Sequence, residues 1–305
     1  MLSPDALKPR LAQGIMAFPA TPFHDDGSLD LSGLAAHVEV LAQHQPLALA
    51  AAGGAGEIFS LSIAEHEQVV KTTVLHAGGV PVIGGAAYGT VMACEMARAT
   101  ERVGADAVLL LPPYLILCEQ GGLYHHIRAV CESVSIAVIP YSRDNAVLSP
   151  ETLLRLADSC PNLIALKDGT GDTPSIARIQ AAVGDRLTIV NGAPTAEMFA
   201  PKLHEMAVAA YSSAVFTFLP KVARHFYDAL HGGNAALVDA MLTQFYAPLV
   251  KLRQRKRGYA VSIVKAGLRV TGRPAGPVRA PLTDLDDSEL AMLAELVAKA
   301  AVWNH

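Results

Sequence analysis

The sequence predicts an α/β protein, a closed (β/α)8 barrel of the TIM type with a C-terminal helical extension. Two observations carry that prediction. Eight short apolar runs alternate with longer stretches of helical spacing, as eight strand–helix units would. Most runs also lack a two-residue alternation, which is how strands read when helices cover one face and a core fills the other. A doubly wound sheet competes, but it usually needs fewer strands. No Gly-x-Gly-x-x-Gly opens a helix after the first run either.

The runs lie at residues 14–20, 47–52, 80–85, 107–111, 136–141, 163–167, 187–191 and 207–211. Between the first two, Leu34, Val38 and Leu41 share one face of a helix. Ser149-Pro150-Glu151 opens a later helix, with Ser149 as N-cap and proline at the first helical position. Gly104-Ala105-Asp106 and Cys160-Pro161-Asn162 mark helix-to-strand breaks. Beyond about residue 232 the strand signal fades. Residues 235–250, 259–271 and 288–301 read as helices, Asn234 caps the first, and the Pro-rich stretch 272–281 is a rigid extended connection. The division expected is therefore a barrel over 1–232 and, over 233–305, an extension packed on it.

Composition narrows the function. Of 305 residues, 17% are charged, and the net charge is −4, which gives no global attraction to nucleic acid or anionic lipid. No run of roughly 18 apolar residues appears, so nothing is expected to span a membrane. The N-terminus lacks a secretory apolar segment, and Cys94, Cys118, Cys131 and Cys160 form no Cys-x-x-Cys pair. These features point to a cytoplasmic protein with reduced thiols. Eleven histidines show no metal-ligand spacing, so no metal is expected. Lys251, Arg253, Arg255, Lys256 and Arg257 read as a solvated helix end, with basic charge favoured at the C-terminus of the helix.

In a barrel the residues at the C-terminal strand ends face the site. Those ends are Gly53-Gly54-Ala55-Gly56-Glu57, Tyr141-Ser142-Arg143, Lys167-Asp168-Gly169-Thr170-Gly171, Asn191-Gly192 and Tyr211-Ser212-Ser213. Lys167 closes the apolar run Leu163-Ile164-Ala165-Leu166, where an ammonium is costly to bury. Desolvation would lower its pKa, and a neutral amine can attack a ketone. The other reading is a lysine that snorkels or pairs with a barrel carboxylate. Tyr141 can relay protons, or simply sit in the core with its hydroxyl bonded. Gly54 and Ala55 belong to a loop whose backbone N–H groups can hold a carboxylate, or form no more than a tight turn. Arg143 can grip a second carboxylate or make a salt bridge at the surface or between subunits. Gly192, Ser212 and Ser213 stand beside them as candidate substrate contacts, the serines alternatively serving strand-end backbone bonding.

These strand ends, in this order, resemble the dihydrodipicolinate synthase / N-acetylneuraminate lyase family. The resemblance spans nearly the whole chain and includes Phe18-Pro19-Ala20-Thr21-Pro22-Phe23, the Gly-Gly-Ala-Gly-Glu loop, Pro113-Tyr114, Tyr141 and Lys167-Asp168-Gly169-Thr170-Gly171. Four further stretches resemble the branch that dehydrates and decarboxylates a keto-deoxy sugar diacid. They are Leu110-Leu111-Pro112-Pro113-Tyr114-Leu115, Tyr141-Ser142-Arg143-Asp144-Asn145-Ala146, Tyr211-Ser212-Ser213-Ala214-Val215-Phe216 and Gly258-Tyr259-Ala260-Val261-Ser262-Ile263-Val264-Lys265-Ala266-Gly267.

The resemblance implies a small sugar-acid substrate bound as a covalent imine on Lys167, Tyr141 as proton relay, and backbone N–H groups of Gly54 and Ala55 on the carboxylate beside the imine. It implies no metal or organic cofactor, and a homotetramer or dimer of dimers. Other outcomes within its reach are an aldolase or synthase acting on another 2-oxo acid, or a sugar-acid binding protein without catalysis. Three positions depart from relatives. Ala55 replaces the usual threonine, whose hydroxyl bridges the tyrosine to the proton path. Ser142 stands where asparagine is frequent. Leu115 stands where synthases place a tyrosine that reaches a neighbouring subunit.

Overall fold

The computed structural model describes residues 1–304. Eight parallel strands close into a barrel in sequence order: β1 (Gln13–Ala17), β2 (Ala48–Ala51), β3 (Val82–Ala86), β4 (Ala107–Leu110), β5 (Ala137–Ser142), β6 (Ala165–Asp168), β7 (Thr188–Asn191) and β8 (Ala209–Ser213). β1 pairs with β8 to close it. Each of the eight apolar runs supplies one strand. The connecting helices are α1 (Leu31–Gln43), α2 (Ile63–His76), α3 (Thr90–Arg102), α4 (Gln120–Ser133), α5 (Pro150–Ser159), α6 (Thr173–Val183), α7 (Ala200–Glu205) and α8 (Pro220–His231).

Both strand faces are buried, which explains the unbroken apolar runs. One face fills the barrel with small side chains, including Ala48, Ala50, Ala107, Ala137, Ala165 and Ala210, and Leu7 and Leu11 from the N-terminal turns join them. The other face packs under the helices, where α1 buries Leu34, Val38 and Leu41. Ser149 caps α5 by accepting from the Thr152 N–H at 3.2 Å, with Pro150 at the first turn.

Three helical segments follow the barrel. The first joins α9 (Ala235–Met241) to α10 (Ala247–Arg253) through a π-helical turn, Leu242–Tyr246. Asn234 caps it by accepting from Leu237 N–H at 3.1 Å. Then come α11 (Tyr259–Val270) and α12 (Asp287–Ala300). The stretch 272–281 does more than connect these two. Ala275 accepts a hydrogen bond from Phe23 N–H at 3.1 Å, and Arg279 donates to Ser60 O at 2.7 Å and pairs with Glu65. The stretch thus straps the loops after β1 and β2 to the C-terminal helices. Beneath it, Lys265 of α11 makes a 2.9 Å ion pair with Glu57, both fully buried.

The basic cluster is not uniformly solvated. Lys251 is exposed, Arg255 and Lys256 pair with Glu289 at 3.6 and 3.2 Å, and Arg253 is half-buried and turned toward the barrel. Lys251 and Arg253 belong to α10, which follows the π turn, whereas Arg255 and Lys256 lie beyond its end.

Candidate active site

Strand register builds the site. Tyr141 on β5 is paired with Lys167 on β6, and Lys167 with Val190 on β7, so the tyrosine and the lysine share the inner face. Their neighbours Ser142 and Asp168 must then point outward. Ser142 indeed accepts from Leu148 N–H at 3.0 Å. Asp168 accepts from Thr170 N–H at 3.0 Å, Thr170 hydroxyl at 2.9 Å and Gly171 N–H at 3.1 Å.

Lys167 is therefore a buried lysine, 4% exposed, to which no carboxylate is ion-paired among the described residues. Its Nζ lies 3.3 Å from the centroid of the Tyr141 ring and 5.4 Å from that of Phe18. Burial lowers its pKa from the ordinary 10.5, against a smaller opposing pull from Tyr141. The pairing alternative for Lys167 does not occur among the described residues.

The Tyr141 hydroxyl donates to Gly192 O at 2.6 Å and accepts from Arg143 Nη1 at 3.1 Å. Burial alone would raise its pKa, but the positive charges of Lys167 and Arg143 together outweigh this and hold the phenol below its ordinary value. Arg143 also pairs with the exposed Asp144 at 2.6 Å.

Gly192 is where a side chain cannot be tolerated. A Cβ there would lie 2.6 Å from Lys167 Cγ and 2.9 Å from Tyr141 Cε2. Gly192→Ala is accordingly expected to displace both groups and lower kcat/KM by on the order of a hundredfold. Steady-state kinetics with an intact circular-dichroism spectrum checks this, and an unchanged kcat/KM would refute it.

A cavity of about 320 Å³ opens at the C-terminal strand ends and is lined by Gly54, Ala55, Tyr141, Arg143, Lys167, Gly192 and Ser212. Ser213 is the exception. Adjacent strand residues face opposite ways, and Ser213 turns outward, where its hydroxyl bonds the buried Glu197 and accepts from Phe216 N–H at 3.0 Å. As a substrate contact it is corrected by this geometry.

Three polar residues absent from the strand-end set also line the cavity: Thr195, Glu197 and Arg253. Thr195 and Glu197 lie in the loop after β7, beyond the two residues that the strand-end rule counted. A longer reading of Asn191-Gly192-Ala193-Pro194-Thr195-Ala196-Glu197 would have included them. Glu197 is fully buried, and desolvation raises its pKa to about 7. Arg253 comes from α10 and had no signal in the strand pattern. Among the described residues no group of three or more His, Cys, Asp or Glu could hold a metal ion, and no helix is long and apolar enough to cross a membrane.

The profile of the dihydrodipicolinate synthetase family matches residues 11–300. The chain belongs to that family. Among its relatives, a Rhizobium rhizogenes protein named "Probable 5-dehydro-4-deoxyglucarate dehydratase" is 50% identical, covering 98% of this chain and 100% of its own length. A Saccharopolyspora erythraea protein of the same name is 52% identical, covering 96% of each chain. Of solved family structures, dihydrodipicolinate synthase from Bacillus clausii superposes with a TM-score of 0.87 at 26% identity, covering 96% of this chain and 99% of that one. The Acinetobacter baumannii synthase complexed with pyruvate gives 0.83 at 27%, covering 95% and 99%.

Proposed function

We propose that this family member is a Schiff-base lyase that converts 5-dehydro-4-deoxyglucarate to 2,5-dioxopentanoate, carbon dioxide and water. The observation that carries the reading is a buried lysine without a carboxylate partner among the described residues, facing a cavity beside a tyrosine whose phenol is made more acidic. The names of relatives about half identical over the full chain supply the substrate.

In this mechanism neutral Lys167 attacks the ketone, water leaves and an iminium forms. The iminium acidifies the adjacent CH2, which loses a proton. The resulting enamine expels the neighbouring hydroxyl, protonated as it leaves, as water. The conjugated iminium then accepts the electron pair of the bond to the far carboxyl carbon, and carbon dioxide departs. Two protonations and hydrolysis of the imine give the semialdehyde and free Lys167. Tyr141 shuttles the protons, its hydroxyl already poised between Gly192 O and Arg143. Gly54 and Ala55 N–H groups hold the carboxylate beside the imine, and Ser212 bonds a substrate hydroxyl. The lysine itself is the electron sink, so the reaction needs no metal or organic cofactor.

Incubation with 5-dehydro-4-deoxyglucarate, following carbon dioxide and semialdehyde, tests the reading, and release of pyruvate would instead mean aldol cleavage. A second expectation concerns pH. The attacking form of Lys167 is the free amine, whose fraction grows with pH, and burial places its pKa below 10.5. The rate of borohydride-trapped adduct formation with pyruvate should climb with pH and level off below that value. A rise continuing past it would contradict a depressed lysine.

The Tyr141 hydroxyl bonds Gly192 and Arg143, so the missing threonine hydroxyl at Ala55 has no place in the path proposed. Ala55→Thr is expected to leave kcat unchanged or raise it. A large fall would show that the path runs otherwise. We further propose a tetramer or dimer of dimers in the cytoplasm. Exposed Tyr114, Leu115, Ile116 and Leu117 in the loop after β4 supply apolar surface for a subunit contact, and the unpaired cysteines suit a reducing compartment.

A further inference from the structure

Arg253 is a half-buried guanidinium with no carboxylate in ion pairing with it among the described residues. Its one side-chain hydrogen bond there is from Nη1 to Thr195 Oγ1 at 3.2 Å. This is an uncommon arrangement. Withdrawing a guanidinium from water is costly unless a charged acceptor compensates, and arginine supplies a planar fork suited to a carboxylate. Burial lowers its pKa, the nearby charge of Arg143 lowers it further, and Tyr141 and Glu197 offset only part of this. Two neighbouring cations thus face one cavity, while Arg143 already has Asp144 and Tyr141 as partners.

The backbone adds an independent sign. Thr195 holds φ +52°, in the left-handed region that a β-branched residue rarely occupies. Strain of this kind persists where the surroundings impose it, characteristically at ligand clamps. Here it presents the Thr195 hydroxyl to Arg253. Arg253 lines the cavity from the end of α10, which is joined to α9 by a π turn, a feature frequent at functional sites.

We propose that Arg253, steadied by Thr195, binds a second carboxylate on the substrate and so selects 2-oxo diacids over 2-oxo monoacids. This rests on the reading of the cavity as a 2-oxo-acid site and names the residue that recognises the far end. A carboxylate there completes the fork with charge-assisted hydrogen bonds and relieves the repulsion between Arg253 and Arg143. A monoacid leaves the guanidinium desolvated and unpaired. Such a contact holds the substrate alike in the ground state and through imine formation and dehydration, with the carboxylate intact until the final loss of carbon dioxide. It therefore contributes to KM and not to kcat.

The test compares wild type with Arg253→Met, which keeps the stem, and Arg253→Lys. Binding of 2-oxoglutarate and 2-oxobutanoate is measured by calorimetry, alongside borohydride trapping of pyruvate on Lys167. Wild type should prefer the diacid by roughly a hundredfold. Arg253→Met should abolish that preference, Arg253→Lys should restore part of it, and pyruvate trapping should be equal in all three. With the sugar diacid, KM should rise by a similar factor in Arg253→Met, with kcat changed less than about tenfold. No diacid preference in wild type, or a preference surviving in Arg253→Met, overturns the proposal. Loss of pyruvate trapping in step with the preference assigns Arg253 a structural role and overturns it too. Absence of any trapped adduct in wild type counts against the imine mechanism alone, since the calorimetric comparison still reads the second-carboxylate contact.

Discussion

Lys167→Ala should abolish both turnover and borohydride trapping, with kcat falling by at least about four orders of magnitude, the scale on which loss of a covalent nucleophile acts. The loss should come without a loss of stability. Lys167 is buried without a carboxylate partner among the described residues, and its pKa in the folded protein lies below 10.5 because of burial. Between the folded value and 10.5 the unfolded chain binds the extra proton, so stability rises with pH through that window, and below it the full desolvation cost is present. Lys167→Met fills the same space without the charge. It should raise stability at neutral pH by about 1–2 kcal/mol while removing activity. Denaturant midpoints and product assays on the two variants check this. Retained trapping in Lys167→Ala would move the covalent chemistry to another residue.

Lys265→Met should have the largest effect on stability. Lys265 and Glu57 are 1% and 0% exposed at their side chains and 2.9 Å apart. Lys265 also donates to Pro277 O at 2.7 Å, and Glu57 accepts from Arg279 N–H at 3.0 Å. Removing the lysine leaves a carboxylate buried without its counter-ion, which costs about 3–5 kcal/mol. Adding Glu57→Gln should recover a large part, because the uncompensated charge disappears with it. A single-variant cost under about 1 kcal/mol, or a double variant no better than the single, would show that water reaches the pair. Glu57 closes the loop that carries Gly54 and Ala55, so the same variant should weaken carboxylate binding.

The barrel was legible because its signal is local and repeated. A strand buried on both faces has to be apolar throughout, and eight such runs between helical stretches left few other arrangements. The caps at Ser149 and Asn234 were equally legible, since an N-cap depends on the four or five residues around it. Strand ends could be named in advance, but not which side of the wall each residue faces. Ser212 and Ser213 looked equivalent until the register of β8 against β1 placed one inside and the other against Glu197.

By itself the sequence determined the (β/α)8 architecture, and the positions of Lys167 and Tyr141 at the ends of adjacent strands, because periodicity and a lysine closing an apolar run are written residue by residue. Only the tertiary structure decided that Lys167 has no carboxylate partner among the described residues, that Gly192 makes room for it, and that Arg253 turns into the cavity from a helix some 86 positions further along the chain. Each of those depends on strand register or on how a distant helix packs against the strand ends, and a shift of one residue in register redirects a side chain while leaving the local pattern of residue types unchanged.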